Sequence, residues 1–138
     1  MIISRIEETE KNEKVIINGA YDLVPLLKEF YRTNKDKENF VVVALNTNSE
    51  VISIRTVSVG TINASLVHSR EVFRFAILEN ANSIILSHNH PSGNLQPSNE
   101  DISTTRKLKQ SAEIIGIPIL DHIIIGDGYY SFVQNDIF

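Results

Sequence analysis

The sequence predicts a single α/β (α+β) domain, a mixed β-sheet flanked by helices. Three observations carry this. Apolar runs of strand length alternate with segments whose apolar residues recur every three or four positions. The chain has 138 residues, enough for one well-packed core but not two. Internal repeats and low-complexity tracts are absent, so a solenoid or fibrous reading has no support.

The first dozen residues, "MIISRIEETEKN", are polar and charged and read as a loosely held lead-in. From Ala20 to Thr33, Leu23, Leu26, Leu27, Phe30 and Tyr31 fall on one helical stripe despite Pro25 near its start. "FVVVALNT" and "EVISIRTVSVG" are strand-like runs, and the "NS" between them fits a hairpin. After the link "TINASLVHS", the segment "REVFRFAILENA" places Val72, Phe73, Ala76 and Ile77 on one helical face. "NSIILS" then reads as a buried strand running into His88. A helix from Ser98 is closed by Gly116, with Pro118 beyond it. "IPILDHIIIGDGYYSFV" gives two strands around the turn "GDG". Residues 1–37 thus form a lead-in and a helix packing on a core that occupies 38–138.

Composition narrows the chemistry. There is no cysteine, which excludes disulfides, a thiolate nucleophile and thiolate-held zinc, so any metal must be held by histidine and carboxylate. A net charge of −4 gives no support for a sequence-independent grip on nucleic-acid phosphates. Arg106, Lys107 and Lys109 read as a solvated helix face, so direct nucleic-acid binding is not expected. No apolar run approaches the roughly 20 residues needed to span a bilayer. The N-terminus has no signal-peptide pattern, which makes the cytoplasm the expected compartment.

One stretch concentrates the functional signal: "SHNHPSGNLQPSNED", Ser87 to Asp101. On a strand, His88 and His90 project to the same side with Cα atoms about 6.6 Å apart, and Asn89 points the other way. The loop "PSGNLQP" can turn the chain so that the next helix begins beside the strand end. Asp101, in the first turn of that helix, would then supply a third, oxygen ligand. Two histidines and a carboxylate leave a coordination position open, which is the mark of a catalytic rather than a structural zinc site. Plainer readings exist for each part. Ser98 followed by Asp101 is close to a capping box, and two histidines at a strand end suit a solvated rim. Capping and ligation are compatible, because a serine can cap with one lone pair while its proton faces the site.

These residues fit H-x-H-x7-S-x-x-D, the pattern of the JAMM/MPN+ metalloproteases, and in wording the stretch resembles the RadC family within that group. "FVVVALNTNSEVI", "VSVGTINASLVHSREVF", "NANSIILSHNHPSGN" and "LDHIIIGDGYYSF" are similar to RadC segments in the same order, from about Glu38 to Phe132. The resemblance implies a JAB/MPN (cytidine-deaminase-like) architecture and a zinc ion held by His88, His90 and Asp101. It also implies that Ser98 donates a hydrogen bond to an oxyanion and that a glutamate before an early strand acts as general base. Glu38 matches that glutamate, with Glu50 and Glu71 as competitors. Many RadC-like proteins carry a longer N-terminal portion resembling a helix-hairpin-helix module, and the residues before the core here show no G-x-G hairpin turn, so that module is not expected in them. The chain therefore resembles the short forms, and a DNA-repair label transfers poorly.

Asp121 and His122 in "LDHII" point to opposite faces of a strand and cannot both face one site. His122 reads as a hydrogen-bonded strand residue, with proximity to the site as the alternative, and His68 reads as a local loop or cap residue. Three functions compete. The first is a zinc-dependent peptidase or isopeptidase acting on an unidentified protein or peptide. The others are a nucleic-acid-associated accessory module and a catalytically silent scaffold. Homo-oligomerisation is compatible with each.

Overall fold

The computed structural model describes residues 3–5, 14–60 and 67–138, and for residues 3–5 the backbone only. The link from Thr61 to Leu66 lies outside the described residues, as does most of the N-terminal lead-in. Among the described residues nine elements follow in order: β1 (Ile3–Arg5), α1 (Ala20–Tyr31), β2 (Asn39–Leu45), β3 (Val51–Val59), α2 (Ser69–Leu78), β4 (Ser83–Asn89), α3 (Asn99–Ile115), β5 (Ile119–Gly126) and β6 (Gly128–Ser131). They form one six-stranded sheet of order β1-β3-β2-β4-β5-β6. All pairings are antiparallel except β4 with β5, which are joined by a crossover through α3 and run parallel.

The central strands explain the continuous apolar runs. Every residue of β2 and β4 is buried, because helices cover both faces of the sheet. On one face Phe40, Val42, Ala44, Ile84 and Leu86 pack with residues of α2 and α3. On the other, Val41, Val43, Leu45, Ile85 and Ile123 pack against Leu23, Val24 and Leu27 of α1. The alternation of the pleat decides which side each residue of β4 serves. His88 continues the Ile84–Leu86 series toward α3, whereas Ser87 points to α1 and accepts a hydrogen bond from Tyr31 Oη at 2.7 Å.

One sequence expectation changes here. The lead-in reads as loose because it is polar, yet Ile3–Arg5 pairs with Arg55, Ile54 and Ser53 at the sheet edge. An edge strand has one face of hydrogen bonds to satisfy and tolerates charged residues, so a polar sequence does not argue against it. The other elements fall where periodicity places them. α1 ends at Tyr31 rather than Thr33, and α3 is closed by Gly116 at φ 85°.

The loop from Pro91 to Pro97 is tied to the tip of the β5–β6 hairpin. Ile125 C=O accepts from His90 N–H at 2.8 Å and Gly93 C=O from Asp127 N–H at 2.9 Å. Gly126 leaves no room beyond hydrogen, since a Cβ there would lie 2.6 Å from the Gly93 carbonyl oxygen. Gly126→Ala is therefore expected to push this loop off the hairpin and to destabilise the domain by about 1–3 kcal/mol, read as a lowered denaturation midpoint with an unchanged slope.

Candidate metal centre

Three elements meet at the C-terminal end of β4. The strand supplies His88, and His90 follows at its end. The tethered loop then returns the chain to α3, which begins with a complete capping box. Ser98 Oγ accepts from Asp101 N–H at 3.0 Å, and Asp101 Oδ2 accepts from Ser98 N–H at 2.8 Å. The cap fixes the Asp101 side chain and turns its carboxylate toward the strand. Asp101 Oδ1 lies 3.3 Å from His88 Nε2, and Oδ2 lies 3.3 Å from His90 Nε2. The two Nε2 atoms are 3.0 Å apart. The capping reading of Ser98-x-x-Asp101 is realised, and the same geometry leaves the Asp101 carboxylate beside both imidazoles.

The three groups can hold a metal ion. Bonds of about 2.0–2.1 Å in a tetrahedron place donor atoms roughly 3.3–3.4 Å apart, close to the separations seen here. The donor set of two imidazole nitrogens and one carboxylate suits zinc and related first-row ions.

The electrostatics also favour a cation. Burial alone would raise the Asp101 carboxyl, but hydrogen bonds with His88 and His90, the His88 charge and the Ser98 backbone outweigh it, and the group is held well below the usual carboxylate range. His90 is pushed up, first by its hydrogen bond to Asp101, against the opposing effect of burial, with help from the Asn94 carbonyl and the charges of Asp101 and Glu38. A buried anion beside two imidazoles therefore favours positive charge at this point, whether it comes from a proton or a metal cation.

His88 is fully buried, its ring parallel to Phe40 at a centroid distance of 6.2 Å. Its Nδ1 is 2.7 Å from His122 Nε2. His122 is thus in direct contact with the site, and the plainer reading of it as an ordinary strand residue is replaced. It is also fully buried, stacked on Phe132 at 4.6 Å, and burial, together with the charges of His88 and His90, holds its imidazole well below the ordinary value despite Asp101. Thr105 Oγ1 contacts its other nitrogen and donates to the Asp101 backbone carbonyl at 2.8 Å. Asp121 faces away, as strand alternation requires, and accepts from Ser131 Oγ and from the backbone N–H groups of His122 and Val133.

Sequence reasoning did not assign Asn89 a task beyond facing away from the site. Its Oδ1 accepts from Asn39 N–H at 2.7 Å, and its Nδ2 donates to the Lys37 carbonyl at 2.8 Å. Asn39 Nδ2 in turn donates to the carbonyls of Asn34 and Lys37. This buried amide network clamps the segment that carries Glu38 against the strand that carries the histidines. Two asparagines at the ends of buried strands, Asn39 opening β2 and Asn89 closing β4, were the available signal. Glu38 is half-buried next to β2, its carbonyl accepts from Gly60 N–H, and its charge is felt at His90.

The competing glutamates lie elsewhere. Glu50 sits at the β2–β3 turn, bonded to Asn46 and paired with Lys14, about 17 Å along β2 from Phe40, the residue paired with His88. Glu71 is in the first turn of α2, where a carboxylate complements the helix dipole. His68 occupies the N-cap position of α2 without a side-chain capping bond. Arg106 and Lys107 are exposed on α3, and Lys109 reaches the Phe138 carbonyl at 3.2 Å. Among the described residues, no helix is long and apolar enough to cross a membrane.

Comparison with known proteins agrees with this geometry. The family described as RadC-like JAB domain matches residues 17–137. A UPF0758 protein of Rubrobacter xylanophilus is 53% identical over 131 residues, covering 95% of this chain and 57% of the relative. One from Desulfitobacterium hafniense is 50% identical over 115 residues, covering 83% of this chain and 50% of the relative. Another from Methanosarcina mazei is 42% identical over 132 residues, covering 96% and 57%. The chain spans about half the length of these curated relatives. With the family matched along nearly all of its described length, the chain belongs to the RadC-like JAB domain family.

Proposed function

We propose that this domain is a zinc-dependent metallohydrolase of the peptidase or isopeptidase type, with His88, His90 and Asp101 as the ligands. The observation that carries the proposal is the convergence of His88 Nε2, His90 Nε2 and the Asp101 carboxylate at separations of 3.0–3.3 Å. His90 also borders a cleft of about 620 Å³ on the α1 side of the strand end, lined by Lys28, Arg32, Asn89, Pro91 and Asp127. Zinc, when bound, supplies Lewis acidity that activates water near neutral pH and polarises a substrate carbonyl.

The protein's own groups do the rest. Glu38 takes the proton of the attacking water and delivers it to the leaving amine, serving first as base and then as acid. The Asn39–Asn89 network holds its backbone in register with the histidine strand. Ser98 uses one lone pair to cap α3, and its exposed hydroxyl keeps a proton for the negative charge that develops on the carbonyl oxygen. Phe40 and Phe132 wall off the buried side of the histidines, lowering the local dielectric and strengthening these interactions.

Metal analysis of protein purified without a histidine tag tests the cofactor: we expect one zinc per chain, and absence of stoichiometric metal overturns the proposal. Asp101→Asn retains an oxygen to accept from Ser98 N–H, so α3 should still start correctly while the metal is lost, measured by circular dichroism alongside elemental analysis. Turnover is read as chelator-sensitive cleavage of amide bonds in a peptide library. Glu38→Gln should leave metal content intact and lower the rate by about 10²–10⁴-fold, and Ser98→Ala by about 10²–10³-fold.

A further inference from the structure

His88 Nδ1 faces another imidazole, His122 Nε2, at 2.7 Å. A metal-binding histidine usually turns its remaining N–H to a carboxylate, a carbonyl or water, each of which dictates the tautomer. An imidazole dictates nothing by itself, because either nitrogen of either ring can carry the proton. The proton between His88 and His122 is therefore decided one step further out.

We propose that Thr105 and His122 are positioning residues that set the tautomer of His88, leaving its Nε2 lone pair bare toward the Asp101 carboxylate. The inference rests on the reading of His88 as a ligand. The Asp101 backbone carbonyl can only accept, and the Thr105 hydroxyl donates its single proton there at 2.8 Å. Having no second proton, Thr105 Oγ1 accepts from His122 Nδ1–H. His122 Nε2 is then bare and accepts from His88 Nδ1–H. With His88 neutral, the sequence of donations ends at its Nε2, which is then bare as well. His90 reaches the same state directly, since its Nδ1–H donates to the Asn94 carbonyl at 2.7 Å.

The reverse order of protons is the competing state. There Thr105 would donate to His122, His122 to His88, and the His88 proton would sit on Nε2, where it blocks ligation. The 2.8 Å bond from Thr105 to the Asp101 carbonyl biases the choice, and it ties the tautomer of one ligand to the helix that carries another. His88, His122, Thr105 and Asp101 thus close a ring in which each neighbour is in hydrogen-bond or ion-pair contact.

Two measurements test this. In metal-free protein, two-bond nitrogen–proton correlation spectra of the imidazoles should show both His88 and His122 as Nδ1–H tautomers, and an Nε2–H signature on either overturns the proposal. Thr105→Val is isosteric and removes only the hydroxyl. It should weaken zinc binding by about 10–100-fold in competition with a chromophoric chelator, and Thr105→Ser should restore affinity to within about threefold of the parent. Unchanged affinity in Thr105→Val, with the fold verified by its amide spectrum, also overturns it. If the parent protein itself does not bind zinc, the metallohydrolase reading fails, and the metal-free spectra still decide the tautomer.

Discussion

Two imidazole nitrogens and a carboxylate lie within 3.3 Å of one another at the end of a buried strand, and such an arrangement is favourable only with a cation or a proton among them. Much of the surrounding structure answers to that constraint. His88 has no exposure and Asp101 almost none, so solvent screens the inner side of the cluster little, while His90 is partly exposed. The capping box neutralises part of the carboxylate's demand with a backbone N–H, and the dipole at the start of α3 adds to it. The three donors converge on a point where positive charge is stabilised.

The fold converts sequence neighbours into a site by means of one parallel pairing. Because β4 and β5 run in the same direction, the chain must cross over between them, and α3 is that crossover. A crossover helix starts where the preceding strand ends, so Asp101 is brought to His88 by topology rather than by a special loop. The same pairing aligns Leu86 with His122 and His88 with Ile124 in neighbouring strands, so His122 reaches His88 from the adjacent strand. The loop from Pro91 to Pro97 needs only to be held short and flat, and its tether to the Gly126–Gly128 turn does so.

The sequence makes most of this legible where one physical rule dominates. Strand alternation places His88 and His90 together and sends Asn89 the other way, and the helix start at Ser98 is recognisable from its cap. His122 was less legible because alternation says which face a residue takes but not which strand lies beside it. Register between β4 and β5 decides that, and it depends on packing distributed over the whole sheet. Thr105 was invisible for the same reason, since a buried threonine in a helix looks like any other small core residue until the strand facing it is known. The β1 strand shows the opposite failure, where polar composition hid an element that pairs with β3 through its backbone.

Strand β4 also divides labour between its faces. Toward α3 it presents His88, joined at the strand end by His90, and with Asp101 those groups make the candidate cation site. Toward α1 it presents Ser87 and Asn89, which bind Tyr31 Oη and the segment before β2. A displacement of β4 would therefore move the proposed ligands and the Glu38 segment together, preserving their separation. Catalysis by a base and a metal depends on that separation more than on the absolute position of either, because misplacement by an ångström can cost about 10²-fold in rate. Asn89 lies between the two histidines in sequence. On the opposite face of the strand, it is the most direct covalent and hydrogen-bonded link between the proposed ligands and the proposed base.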